Sequence, residues 1–135
     1  MDNVVLDTNT LIMSISPRSV YRKIWQNFLD KKYNLCISNE VLEEYSEVLS
    51  RNIGVAVSDY IVNAILSKEN VVHVCPHFRC QAITQAPDDN KFVDCAFASN
   101  ARFVVTEDKH FNILKTLQFP KIDIISIDDF LKINY

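Results

Sequence analysis

Glycine is almost missing from this chain: Gly54 is the only one in 135 residues. That excludes the glycine-rich loops whose backbone closes around phosphates, so neither a P-loop nor a dinucleotide-binding fingerprint is present. No apolar run approaches the roughly 20 residues that a membrane-spanning helix needs. The start, Met1-Asp2-Asn3, lacks the basic and apolar segments of an export signal. Cytoplasmic residence without membrane contact is therefore expected. An excess of positive charge is lacking too, since 14 Lys and Arg face 17 Asp and Glu for a formal net charge of -3. The chain thus carries no broad cationic field for nucleic acid, although cations bound among its acidic residues would reverse the sign locally. In a reducing compartment Cys36, Cys75, Cys80 and Cys95 read as free thiols rather than as a disulfide framework.

What is present is ordinary for a folded domain: 48% hydrophobic and 23% charged residues over a length that fits one domain, residues 1–135. Asn3 to Leu6 reads as a buried strand ending at Asp7 and followed by a polar loop. Val20, Ile24, Phe28 and Leu29 recur at helical spacing from Ser19, with Lys31-Lys32 closing the last turn. Leu35 to Ile37 forms a second strand, and Ser38-Asn39 caps a helix striped by Val41, Leu42, Tyr45, Val48 and Leu49. Ser58-Asp59 opens a helix through Ile61, Val62, Ile65 and Leu66, and Val71 to Val74 is a third strand. After an irregular stretch from Cys75, a helix starts at Pro87 and carries Phe92, Val93, Ala96 and Phe97 inward. Phe103 to Thr106 is a fourth strand. A short helix follows through Phe111, Ile113, Leu114 and Leu117, then a fifth strand from Ile122 to Ile127 and a last helix from Asp128 to Ile133. Strand and helix alternate, which predicts an α/β fold of three layers with a mostly parallel sheet of about five strands flanked by helices.

In such sheets ligands bind outside the carboxyl ends of the strands. Asp7 ends the first strand, and Asp108 lies just past the fourth. Glu44 and Asp89 sit near the starts of helices, with Glu44 one turn from Val41 and from Val48 at the border of a buried stripe. Each alone has a plain structural reading, as a cap, a turn residue or a solvated charge. Four carboxylates converging without a cationic side-chain partner instead demand a hard cation, Mg²⁺ or Mn²⁺. Such a site suits metal-assisted hydrolysis of a phosphodiester.

The segments Val4-Val5-Leu6-Asp7-Thr8-Asn9-Thr10-Leu11, Ser38-Asn39-Glu40-Val41-Leu42-Glu43-Glu44-Tyr45, Pro87-Asp88-Asp89-Asn90-Lys91-Phe92 and Val104-Val105-Thr106-Glu107-Asp108-Lys109-His110-Phe111 resemble the successive motifs of PIN domains, in order and over essentially the whole chain. The nearest likeness is to the bacterial branch described as toxin components of toxin-antitoxin systems. The resemblance implies a PIN-like fold and a metal-dependent ribonuclease. It implies an acidic quartet of Asp7, Glu44, Asp89 and Asp108, with Asn9 and Thr106 as polar supports and Asp88 as the next candidate. It further implies RNA as substrate and an antitoxin protein or a second copy of the chain as partner. Two positions depart from the family pattern: Ala86 stands where relatives often have Asp, and Glu107 where Gly or Asn is frequent. Helical spacing favours Asp89 over Asp88 for the site, because Asp89 lies three and four residues before the core positions Phe92 and Val93.

Rival readings are a PIN-fold binding module without turnover and a structure-specific DNA nuclease. Asp7-Thr8-Asn9-Thr10 is also similar to the nucleophile motif of haloacid-dehalogenase-like phosphatases, but Asn9 cannot act there as the second, proton-shuttling acid. His73, Cys75, His77 and Cys80 are soft ligands without the paired spacing of a structural zinc site. His110 reads as a surface histidine.

Overall fold

The computed structural model describes all residues from 1 to 135. Five strands, β1 (Asn3–Leu6), β2 (Asn34–Ile37), β3 (Val71–His73), β4 (Phe103–Val105) and β5 (Ile124–Ile125), form one sheet in the order β3-β2-β1-β4-β5. Every pairing is parallel, in line with the mostly parallel sheet that the alternation predicts. Helices α1 (Thr8–Ile15), α2 (Arg22–Leu29), α3 (Asn39–Asn52), α4 (Val55–Ser67), α5 (Asn90–Ser99) and α6 (Ile127–Leu131) flank the sheet, with 3-10 helices at Pro87–Asp89 and Lys109–Thr116. This is the three-layer α/β arrangement that alternating elements predict.

β1 and β2 are central and read as unbroken apolar runs because both of their faces are covered. Val4, Val5, Leu6, Leu35, Cys36 and Ile37 are all fully buried. From β1 the chain moves outward on one side to β2 and β3, then returns to β4 on the other side. The crevice at the ends of β1 and β4 is thus a topological switch point.

Several elements differ from expectation, each for a local reason. The polar run after Asp7 is not a loop but α1. Its hydroxyls turn inward and find backbone acceptors: Thr10 Oγ1 donates to the Val105 carbonyl at 3.1 Å and Ser14 Oγ to the Leu11 carbonyl at 2.8 Å. Helix α2 begins at Arg22, leaving Val20 exposed, and ends before Lys31-Lys32. Helix α4 begins at Val55, behind Gly54 with its φ of 129°. Ser58 is therefore no cap but a buried tie, donating to the Ser46 carbonyl at 3.0 Å. Leu66 and Ile113 face solvent. Phe97 also sits at the surface, where it packs against Phe78 and Phe119 with ring centroids 5.5 Å away in each case. β5 is only two residues long.

Two features of the packing position the crevice. Tyr45, buried on α3, donates its hydroxyl to the Leu6 carbonyl at 2.5 Å and so ties the helix to the end of β1. The stretch between β3 and α5 is pinned by polar residues of α5. Asn90 bonds both the N–H and the carbonyl of Ile83 at 2.9 Å, and the buried Asp94 accepts from the Cys80 N–H at 2.8 Å. These bonds fix where α5 starts, and hence where Asp89 points.

Replacing Tyr45 by Phe keeps the ring and removes the tie. A loss of about 1–2 kcal/mol is expected from an unmet buried acceptor, read as a lower urea midpoint with an unchanged slope.

Candidate active site

Parallel pairing of β1 with β4 sets Leu6 beside Val105, and the residues that follow, Asp7 and Thr106, continue the register. The Asp7 N–H donates to the Val105 carbonyl at 3.0 Å, and the Asp7 carbonyl accepts the Leu11 N–H at 3.0 Å to start α1. Asp7 is thereby held between strand and helix, only 7% exposed. Its carboxylate accepts the Thr106 hydroxyl at 2.8 Å, and the same hydroxyl oxygen accepts the Asp108 N–H at 3.0 Å. One threonine thus fixes the spacing of two acidic residues.

Glu44 reaches the crevice from the second turn of α3. One carboxylate oxygen accepts the Thr8 hydroxyl, and the other takes the Lys91 ammonium at 3.0 Å. The quartet therefore does have a cationic side-chain partner, contrary to the expectation that it has none. Asp108 accepts the His110 N–H at 2.9 Å, and the His110 ring nitrogen lies 3.0 Å from the same oxygen. One potential ligand atom each from Asp89, Asp108 and His110 falls within a 4.8 Å span.

The electrostatics place all four acidic residues in mutual reach. Burial pushes the Asp7 carboxyl above the usual range, and the charges of Glu44 and Asp108 push it further. The Thr106 hydroxyl and the Thr8 N–H oppose them. Asp89 is pushed up to about 6, first by burial and then by Asp108, Asp7 and Glu44. Asp88, by contrast, is exposed at the start of the helix. The structure thus gathers Asp7, Glu44, Asp89 and Asp108, with Thr106 bracing two of them. Asn9, expected as a second brace, is exposed and makes no side-chain hydrogen bond, and the neighbouring Thr8 holds Glu44 instead.

Thr8 and Lys91 are the residues that sequence reasoning missed here, and His110, read as a surface histidine, is exposed but also lies against Asp108. Lys91 lies two residues from Asp89, a spacing that on a helix turns two side chains apart, and only the long flexible lysine chain brings its charge round to Glu44. The soft-ligand cluster does not assemble, as His73 bonds the Asn39 side chain at 2.7 Å and Cys80 lies beside Asp94.

The donor set fits a hard divalent cation. It offers carboxylate oxygens on separate elements, two of them on carboxyls raised by burial and by neighbouring negative charge. The carboxylate oxygens suit Mg²⁺ and Mn²⁺ alike, with the His110 imidazole adjacent to two of them. Polar grooves lie on either side of the Lys109–Thr116 helix, one of about 350 Å³ lined by Thr84, Gln85, His110 and Asn112, the other of about 290 Å³ bordered by Thr106, Asp108 and Lys115. No helix in the molecule is long and apolar enough to cross a membrane.

A family model described as a PIN domain matches residues 3–110. Among curated proteins, none matches this chain. Solved structures that share its fold include three toxin-antitoxin complexes named VapBC. VapBC2 from Rickettsia felis bound to a promoter DNA fragment is 17% identical with a TM-score of 0.60, over 92% of this chain and 98% of that one. DNA-bound VapBC from Salmonella typhimurium is 17% identical with a TM-score of 0.58, over 94% and 99%. VapBC-1 from nontypeable Haemophilus influenzae is 16% identical with a TM-score of 0.58, over 93% and 98%.

The raised Asp89 has a thermodynamic consequence. Its unfolded value is near 3.9, so in the metal-free protein the folded state holds this proton until about pH 6. Stability is fully present below pH ~4 and falls as pH rises to about 6, above which the penalty is constant. The Asp89→Asn variant should therefore gain on the wild type across that window, by about 1 kcal/mol once solvent screening is allowed for. Urea titrations of both proteins in chelator at several pH values read this difference, and parallel pH profiles would refute the assignment.

Proposed function

We propose, from the premise that this chain belongs to the PIN-domain family, that it is a single-domain, divalent-metal-dependent endoribonuclease acting as the toxin of a toxin-antitoxin pair. The observation that carries the nuclease reading is the convergence of Asp7, Glu44, Asp89 and Asp108 at the switch point of a parallel sheet, with two of their carboxyls raised by burial and then by their neighbours' charges. Asp7, Asp89 and Asp108 would hold Mg²⁺ or Mn²⁺, with Glu44 completing the acidic wall. The bound cation would supply Lewis acidity at the scissile phosphate and activation of water. Thr106 keeps Asp7 and Asp108 at a fixed separation, so neither must reorganise when charge develops nearby. The polar grooves beside Lys109 give an RNA strand open access from two sides.

The toxin reading rests on the motif likeness to toxin components and on the shared fold of the VapBC structures. An antitoxin protein is the partner this implies, with a homodimer as the alternative assembly and the cytoplasm as the compartment.

Purified protein should cut single-stranded RNA when Mg²⁺ or Mn²⁺ is added and stop when excess chelator follows. Asp7→Asn should abolish cleavage while the fold persists. Asp89→Ala should lose about 100-fold or more and Asp88→Ala should stay near wild type, since a metal ligand is worth several kcal/mol of barrier and a helix-start charge is not. Undiminished cutting in chelator, or the reverse order of the two alanine variants, would sink this assignment. Preference for structured DNA would move the substrate, and tight partner binding without any turnover would favour a binding module.

A further inference from the structure

We propose that Lys91 is a built-in counter-cation of the acidic site, competing with the divalent metal for Glu44 and so setting how tightly the site loads. This deepens the metal reading above and rests on it.

Lys91 Nζ lies 3.0 Å from Glu44 Oε1. Both side chains are largely withdrawn from solvent, with 23% and 21% exposure, so the pair is screened far less than an ordinary surface ion pair. The other oxygen of Glu44 is engaged by Thr8. Both oxygens of this carboxylate are therefore already satisfied in the absence of an ion, whereas Asp7 and Asp89 have no cationic side chain against them. Among the lysines and arginines, only Lys91 forms an ion pair with a member of the quartet.

Two consequences follow from charge alone. An ion entering beside Asp7 and Asp89 meets the positive charge that Lys91 holds against their neighbour Glu44, and it must displace the ammonium to use that oxygen of Glu44. Both effects weaken metal binding, by a factor that Coulomb interaction at an effective dielectric near that of a protein surface makes at least about fivefold. The same ammonium keeps Glu44 oriented at the crevice before any ion arrives. Lys91 is a positioning residue in this scheme, acting through Glu44 and not on the reacting atoms.

Calorimetric titration of the full chain with Mn²⁺ alone, without RNA, isolates this effect from turnover. Lys91→Met should bind Mn²⁺ at least about fivefold more tightly than wild type, and Lys91→Arg should stay within about twofold because the charge is kept. Lys91→Gln, which retains a donor for Glu44 and protects against misfolding of the methionine variant, should shift in the same direction as Lys91→Met. A purely structural lysine predicts the opposite sign, since a disordered Glu44 would weaken the site. Folded Lys91→Met and Lys91→Gln proteins with unchanged or weaker Mn²⁺ affinity overturn the proposal. If wild type and both variants bind no Mn²⁺, the metal reading falls with it, whereas Mn²⁺ binding without RNA cleavage refutes the nuclease reading and leaves the Lys91 result to be judged by its sign.

Discussion

The hydrogen bond from the Thr106 hydroxyl to Asp7 is the contact on which the crevice depends, because it joins the ends of the two parallel strands at which the strand order switches sides. β1 and β4 are neighbours in the sheet but separated by most of the sequence, so nothing local holds their ends in register. Backbone pairing sets the register, and Thr106 then spends its hydroxyl on Asp7 and its lone pair on the Asp108 N–H. A buried carboxylate with only charge-neutral donors is costly to place, and it persists because β1, β4 and α1 all fix its backbone.

The surrounding structure follows from that cost. Tyr45 brings α3 against the end of β1, which delivers Glu44. Asn90 and Asp94 clamp the incoming stretch, which delivers Asp89. Lys91 and His110 then stand against Glu44 and Asp108, one on each side of the pair that has no such companion. The arrangement pairs Glu44 with a lysine and leaves Asp7 and Asp89 without a lysine or arginine against them.

How much of this was legible in the sequence divides along the range of the interaction. Strands β1 and β2, the Ser38 cap and the start at Pro87 are written in adjacent residues, and the structure has them where the pattern puts them. Helical spacing from Phe92 and Val93 favours Asp89 over Asp88, and the structure leaves Asp88 exposed and Asp89 half-buried. Helix α1 was not legible because Thr8, Thr10 and Ser14 look like loop formers until their hydroxyls are seen to meet Glu44 and the Val105 and Leu11 carbonyls. Phe97 was misjudged for the same kind of reason, its partners Phe78 and Phe119 lying in segments without periodicity. Lys91 was invisible because its reach crosses from α5 to α3, and no spacing rule within one helix describes that.

The net charge of -3 looked unfavourable for an enzyme acting on a polyanion, and the site's layout changes what that number means. Lys91 is spent on Glu44, so it does not add to any field that extends into solvent, and the free cations near the crevice are few. A strand approaching through the grooves beside Lys109 and Lys115 would meet local attraction only once a divalent ion had reversed the sign at Asp7 and Asp89. On the proposed nuclease reading, substrate capture and metal loading would be one coupled event: the apo site would repel a phosphodiester, the loaded site would draw it in, and by linkage the bound phosphodiester would tighten the hold on the ion.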